Sequence, residues 1–136
     1  MTGTDRARGV WFMRDRPGVF WLLCALGVAL VHPWVPEATW LMTHLVLLGA
    51  LTHSAMVWST HFAATILKSS PALDPRPQQT RRLVLLMAGT TAVLVGVPSG
   101  FWPLTLLGAS AISLAVLWHG VQLFRRLRGA LPGFTP

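Results

Sequence analysis

Five histidines are the residues of this chain whose side chains could best support chemistry. A neutral imidazole is a common metal ligand and can serve as an axial ligand of haem iron. Ionisable side chains inside a membrane span are rare and costly, which makes them candidates for a functional site. The five are His32, His44, His53, His61 and His119.

The other reactive side chains suggest no further chemistry. The four acids are Asp5, Asp15, Glu37 and Asp74, and none of them interrupts a long apolar run. A carboxylate proton relay through a bilayer is therefore not expected. No phosphate-binding loop, nucleophile elbow or H-E-x-x-H motif occurs. Cys24 is the only cysteine, so no intramolecular disulfide can form.

The elements that must position the histidines are apolar helices. The chain has 136 residues, of which 53% are hydrophobic and 11% charged, whereas a soluble domain carries about 25% charged residues. A helix needs roughly 20 apolar residues to cross a bilayer. The sequence predicts an all-α membrane protein, a single four-transmembrane-helix bundle. Its spans are residues 18–35, 38–67, 83–101 and 104–124, with a basic tail over 1–17, a Pro-rich loop over 69–80 and a tail over 125–136.

The basic residues predict the orientation of these spans. All 11 lysines and arginines lie in three segments, residues 6–16, 68–82 and 125–128, and the loops 32–39 and 100–103 contain none. Basic residues are retained in cytoplasmic loops. We therefore expect cytoplasmic N and C termini in a multi-pass protein of the inner (plasma) membrane. The net charge of +7 is then a topology signal that also attracts anionic lipid headgroups, and no nucleic acid partner is predicted.

The predicted topology places the histidines at two depths. At ~1.5 Å per residue, His44 lies about 6 Å below the outer surface, His53 about 20 Å, His119 about 22 Å and His61 about 31 Å. His32 lies at the outer end of helix 1. His32 and His44 thus form an outer pair, and the other three histidines form an inner group. These two sets would permit one cofactor site near each leaflet, because sites in bundles are built from facing helices.

The angular positions of the histidines leave a second interpretation open. At ~100° per residue, His53 points about 180° away from His44, and His61 about 80° away from His53. They cannot all face one interior, so some of them could be merely hydrogen-bonded structural residues. His44, His53 and His119 remain the best candidate metal ligands, with His61 and His32 as further cofactor-binding candidates.

One stretch of helix 2 resembles a known family. It comprises Trp40-Leu-Met-Thr-His44-Leu-Val-Leu-Leu-Gly49 and the later Trp58-Ser59-Thr-His61. It is similar to the membrane-embedded segment that precedes the multicopper oxidase domains of some actinobacterial copper nitrite reductase-like proteins. More remotely, it resembles the histidine-bearing helices of the NnrS and haem-copper oxidase type. The resemblance covers about 30 residues and implies a role near respiratory redox chemistry, with His44 at the matching position.

The leading functional hypothesis is a small redox-associated membrane protein. It would bind haem b, or copper, through histidines of helices 2 and 4 and exchange electrons with a partner protein, without enzymatic activity of its own. The first alternative is a non-catalytic small subunit or assembly factor with structural histidines. The second is a homo-oligomeric transporter or channel.

Small residues in helix 4 predict close helix contacts. Such residues let membrane helices approach one another, so we expect helix 4 to be central in the bundle or at the interface of a homo-oligomer. The residues are Gly108, Ala109, Ser110, Ala111, Ser113 and Ala115.

Overall fold

The computed structural model describes residues 3–66 and 76–130, with the side chains of 16–66 and 77–129. Within these ranges the protein is all-helical, with four long helices and no strand. A short 3₁₀ turn, His32–Trp34, follows the first helix. The helices are α1 (Gly3–Leu30), α2 (Ala38–Ile66), α3 (Arg76–Gly96) and α4 (Trp102–Ala130).

Two of the four helices, α2 and α4, are long and apolar enough to cross a membrane. With 29 residues, α2 would be about 43 Å long at ~1.5 Å per residue, more than the ~30 Å of a hydrocarbon core. In α1 the apolar helix is the shorter segment Arg16–Leu30. Of the four predicted spans, two therefore meet the criteria of length and hydropathy.

The first helix differs from its predicted bounds at both ends. It begins at Gly3 and continues through Pro17, so the predicted tail is helical over its described part. It ends at Leu30 instead of residue 35. The physical reason for the early end is Pro33, since proline has no N–H to donate and restricts the residue before it.

The hairpin of α3 and α4 also has shifted bounds. Residues 76–80 of the predicted loop form the first turn of α3, where a proline such as Pro77 needs no hydrogen-bond partner for its nitrogen. Before the tight turn at Gly100, which has φ +68°, α3 ends at Gly96. The last helix continues past residue 124 to Ala130. The remaining parts of the predicted loop and tail, 69–75 and 131–136, lie outside the described residues.

The central segment of α2, Leu45–Leu51, is π-helical. Its geometry is completed by Thr52, whose backbone N–H bonds to the Leu47 carbonyl and whose hydroxyl donates to the same oxygen at 2.8 Å. A π-helix bonds i→i+5, so each residue turns less about the axis than in an α-helix. The predicted 180° between His44 and His53 assumed a uniform α-helix and does not apply across this segment.

Glycines set how the helices pack. A Cβ at Gly108 of α4 would lie 2.7 Å from the carbonyl oxygen of Gly89 in α3, and one at Gly49 of α2 would lie 2.5 Å from Trp21 Cγ in α1. The result is an α3–α4 hairpin on one side of α2 and α1 on the other. Within one chain α2 occupies the middle of the bundle, and α4 packs mainly against α3 with a smaller contact to α2. The other predicted position of helix 4, at the interface of a homo-oligomer, stays a prediction.

The apolar core has two parts. We call the end of the bundle with the His32–Trp34 turn the turn end, and the end with Arg82 and Arg126 the basic end. Toward the turn end, Trp21, Ala25, Leu45, Ala50 and Leu94 join α1, α2 and α3. Toward the basic end, Met56, Leu86 and Ala115 join α2, α3 and α4.

Candidate functional site

His44 is held by its own helix. Its Nδ1–H donates to the Trp40 carbonyl oxygen at 2.8 Å, and its ring stacks on the Trp40 indole with centroids 4.0 Å apart. The hydrogen bond assigns the proton to Nδ1 and leaves the lone pair on Nε2, as in histidines that bind metals. His32, its predicted partner in an outer site, is exposed in the 3₁₀ turn.

His53 lies at the interface of α1 and α2. It is only 1% exposed, and a Cβ at Gly18 of α1 would lie 3.8 Å from its Cδ2 atom. A Cβ there would make only an ordinary van der Waals contact with the ring, so the imidazole lies against α1 near Gly18. The side chain is part of the packing of α1 against α2, beside Ser54, whose Oγ is 3.3 Å from the same Cβ position.

His119 lies on the other side of α2. Its Nε2 is 2.8 Å from Ser59 Oγ, and the residue is 8% exposed. Ser59 follows His53 by six residues in the α-helical part of α2, which at ~100° per residue turns it about 120° away. His53 therefore faces α1, whereas His119 reaches α2 from α4.

His61 is half-buried and contacts Trp58 edge-on, with ring centroids 5.8 Å apart. Both residues lie on α2, one turn apart. This is an aromatic contact along a single helix and does not bring His61 to another histidine.

The described histidines do not form a single ligand cluster. Among the described residues, no group of three or more His, Cys, Asp or Glu side chains could hold a metal ion. His53 lies against α1, whereas His119 contacts Ser59 of α2. Within the described residues of one chain, His44, His53 and His119 therefore do not form a three-residue ligand group, and the predicted haem or copper binding stays a prediction.

A different site lies near the basic end, between α2, α3 and α4. It is a narrow cleft with no room for a water molecule. The lining residues are Thr60, Arg82, His119, Gln122, Leu123 and Arg126.

The two arginines of this cleft are buried. Arg82 is 0% exposed and Arg126 6% exposed, while their sequence neighbours Arg81 and Arg125 are exposed. The Arg82 guanidinium carbon lies 6.0 Å from the centre of the Trp118 ring, a distance typical of a cation–π contact. In each of the pairs Arg81–Arg82 and Arg125–Arg126, the second arginine is therefore buried in the bundle and the first is exposed on its surface.

A further buried donor lies one turn from Arg82. Gln79 is 5% exposed, and its Nε2 has no hydrogen-bond acceptor among the described residues. Glu37, the one carboxylate whose side chain the structure describes, lies at the turn end.

Sequence reasoning assigned Arg82 and Arg126 to topology alone and missed the cleft. A signal was present in their spacing. Arg82 lies four residues before the buried Leu86, and Arg126 lies seven residues after the buried His119. Helical periodicity places each of them on the inward face, whereas Arg81 and Arg125 fall outside it.

Comparisons of the chain with protein-family models, with curated proteins and with solved structures found no match. The resemblance of helix 2 to segments of respiratory copper proteins is therefore not tested and stays a hypothesis.

Proposed function

We propose that this chain is a four-span membrane protein of the plasma membrane, with both termini in the cytoplasm. The proposal is supported by the distribution of polarity. The outer faces of α1 and α4 carry large aliphatic side chains, while polar residues lie inside the bundle, the reverse of a water-soluble protein. Exposed residues include Leu22, Leu26, Leu106, Leu114 and Leu117, and buried ones include His53, Gln79, Arg82, Thr90, His119 and Arg126.

Within that membrane, we infer a non-catalytic small subunit or assembly factor whose histidines are structural. The observation that carries this inference is that the inner histidines hold helices together. His119 joins α4 to Ser59 of α2, and the buried His53 packs against α1 near Gly18. A subunit of this kind acts through its helix surfaces and its cytoplasmic face.

Glutamine substitutions test this inference. A glutamine at His44, His53 or His119 keeps hydrogen-bonding capacity but provides no imidazole ligand. The tagged chain would be expressed in its own host, and membrane complexes would be resolved by native electrophoresis. We expect the wild type to migrate in a complex larger than itself, and each variant to retain that complex. A wild-type chain that migrates alone would contradict the subunit function.

An electron-transfer component with haem b or copper is the second candidate. The observation in its favour is the Nδ1–H bond of His44 to Trp40, which leaves Nε2 able to coordinate a metal. Oxidised and dithionite-reduced absorption spectra of the purified protein, with metal analysis, decide it. A reduced α-band that disappears in His44→Gln would establish this candidate, and a colourless sample without stoichiometric copper or iron would exclude it.

A homo-oligomeric transporter or channel remains an untested alternative, which flux measurements in vesicles containing the purified chain would address.

A further inference from the structure

We propose that the turn end of the bundle binds the glycerol ester layer of a phospholipid leaflet through the indole rings of Trp34 and Trp102. The partner is the uncharged interfacial layer that phospholipids share, whatever the charge of their headgroups. The inference rests on the proposed membrane embedding, to which it adds the depth at which the turn end lies.

The first argument is the exposure of the two rings. Trp34 is 79% exposed and Trp102 is 67% exposed. Trp34 lies in the His32–Trp34 turn after α1, and Trp102 is the first residue of α4. Phe101, directly before it, is exposed as well. Large aromatic side chains exposed together at one end of a protein indicate a surface that contacts a partner.

The second argument is the chemistry of the surroundings. Residues 31–37 and 97–102 contain Glu37 but no lysine or arginine, so the turn end has no basic side chain of the kind that attracts anionic headgroups. An indole combines a large apolar ring with a single N–H donor. It therefore suits the layer in which hydrocarbon meets the ester carbonyl groups of the lipid.

The third argument is the change from aromatic to aliphatic side chains along the helices. The exposed Leu106 follows Trp102 by one helical turn, and the exposed Leu30 ends α1 just before the turn that contains Trp34. Four residues of helix span about 6 Å. The interfacial layer on each side of the hydrocarbon core is about 5–8 Å thick. When the leucines contact acyl chains, the indole rings therefore lie in the interfacial layer.

The fourth argument is that the backbone of both turns is held before any lipid binds. The Trp34 N–H donates to the Val31 carbonyl oxygen at 3.0 Å. The Trp102 N–H donates to the Gly100 carbonyl oxygen at 3.1 Å. Pro33 restricts the first turn further, because its ring fixes one backbone angle. A surface that is already ordered loses little conformational entropy on binding.

Fluorine NMR of the purified full chain in lipid nanodiscs tests the proposal. With fluorotryptophan incorporated, each tryptophan gives a resonance that its own Trp→Phe variant assigns. The nanodiscs contain phosphatidylcholine, alone or mixed with phosphatidylglycerol, and carry a lipid nitroxide either near the glycerol layer or at the acyl-chain end. We expect the glycerol-level nitroxide to broaden Trp34 and Trp102 at least about twofold more than the chain-end nitroxide does, because indoles favour the interface. The ratio should be the same in both lipid compositions.

Trp21 is the internal control in the same sample. It precedes Leu30 in α1 by about 14 Å along the helix axis, which places it near the middle of a ~30 Å hydrocarbon core. Its resonance should show the reverse order, with the chain-end nitroxide as the stronger of the two.

Removal of the rings tests their effect on depth. A fluorinated probe on Ser99→Cys, in a Cys24→Ala background, reports the depth of the turn end. Leucines in place of both Trp34 and Trp102 should draw this end toward the hydrocarbon and raise its broadening by the glycerol-level nitroxide about twofold. Leu30→Ala removes another exposed side chain from the same end and should leave the broadening unchanged. The wild-type measurement does not depend on the folding of these variants.

Each other outcome overturns the inference in a recognisable way. Stronger broadening of Trp34 and Trp102 by a water-soluble gadolinium chelate than by either nitroxide would place the rings in water. Stronger broadening by the chain-end nitroxide would place them in hydrocarbon, and no broadening by any probe would mean that protein, such as a second copy of the chain, covers them. If Trp21 does not respond to the lipid nitroxides either, the membrane embedding itself fails. A normal response of Trp21 alone would overturn only the lipid contact of the turn end.

Discussion

Ser59 Oγ and His119 Nε2 lie 2.8 Å apart and form a hydrogen bond between α2 and α4. The two residues are 60 positions apart in the chain. Ser59 also approaches the Met56 carbonyl oxygen, at 3.4 Å, so its hydroxyl is oriented by its own helix toward α4. The bond identifies His119 as a residue that fixes the α3–α4 hairpin against α2.

Removal of this bond should have a small but measurable effect on stability. Hydrogen bonds between membrane helices contribute about 0.6 kcal/mol on average. In a double-mutant cycle of Ser59→Ala and His119→Leu, followed by reversible unfolding in micelles, we expect a coupling free energy of that size. Ser110→Ala, at an exposed position of α4, should show no coupling to His119→Leu. His119→Gln should retain part of the coupling, and a coupling indistinguishable from zero would contradict the bond.

Gly49→Ala should loosen the contact between α1 and α2. The added Cβ would lie 2.5 Å from Trp21 Cγ, and such overpacking costs about 1–3 kcal/mol. We expect a lower unfolding midpoint, with partial recovery when Trp21→Leu is added. Gly27→Ala in α1 meets no atom within 4 Å and should leave the midpoint unchanged or slightly raised. An equal effect of both alanines would refute this packing.

Gly108→Ala should be more damaging than Gly49→Ala, because its new Cβ would lie 2.7 Å from the backbone oxygen of Gly89, which cannot rotate away as a side chain can. The hairpin must then separate, at a cost above the ~1–3 kcal/mol of ordinary overpacking. Gly120→Ala on the same helix has open space around it and serves as the control. Thermal unfolding of the three alanine variants ranks their losses of stability. A smaller loss in Gly108→Ala than in Gly49→Ala would contradict this prediction.

Glu37→Gly should stabilise the protein. Glu37 has φ +55° at the start of α2, a left-handed conformation that costs about 1–2 kcal/mol in a residue with a Cβ. Glycine removes that strain but has greater freedom in the unfolded chain, so a net gain of about 0.5–1 kcal/mol remains. Glu37→Ala keeps the Cβ and should not reproduce the gain. A gain of the same size with alanine would assign the effect to the carboxylate instead.

Single cysteines should report the proposed four-span topology. In a Cys24→Ala background, cysteines replacing Trp34 and Ser99 lie at the turn end, and one replacing Arg128 lies at the basic end. In intact cells, we expect an impermeant maleimide to label the first two positions only, and Arg128→Cys to react after permeabilisation. Labelling of Arg128→Cys in intact cells would contradict a cytoplasmic basic end.

The sequence by itself determined the helical class and the approximate positions of the four helices, because long apolar runs separated by prolines and short polar segments are typical of packed helices. It also showed that the positive charges cluster in the two tails and in the segment 68–82. Pro33 and Pro98 are visible in the sequence as residues that interrupt helices. In the structure α1 ends at Leu30 and α3 at Gly96, earlier than the apolar runs predicted.

Only the tertiary structure decided which residues lie together. The π-helical segment before Thr52 changes the face on which His53 lies, and no periodicity in the apolar sequence Leu45–Leu51 distinguishes it from an α-helix. The pairing of Ser59 with His119 depends on how α4 docks on α2, which brings together residues 60 positions apart in the chain. The burial of Arg82 and Arg126 follows from the same docking, because a charge becomes a lining residue only when a second helix covers it.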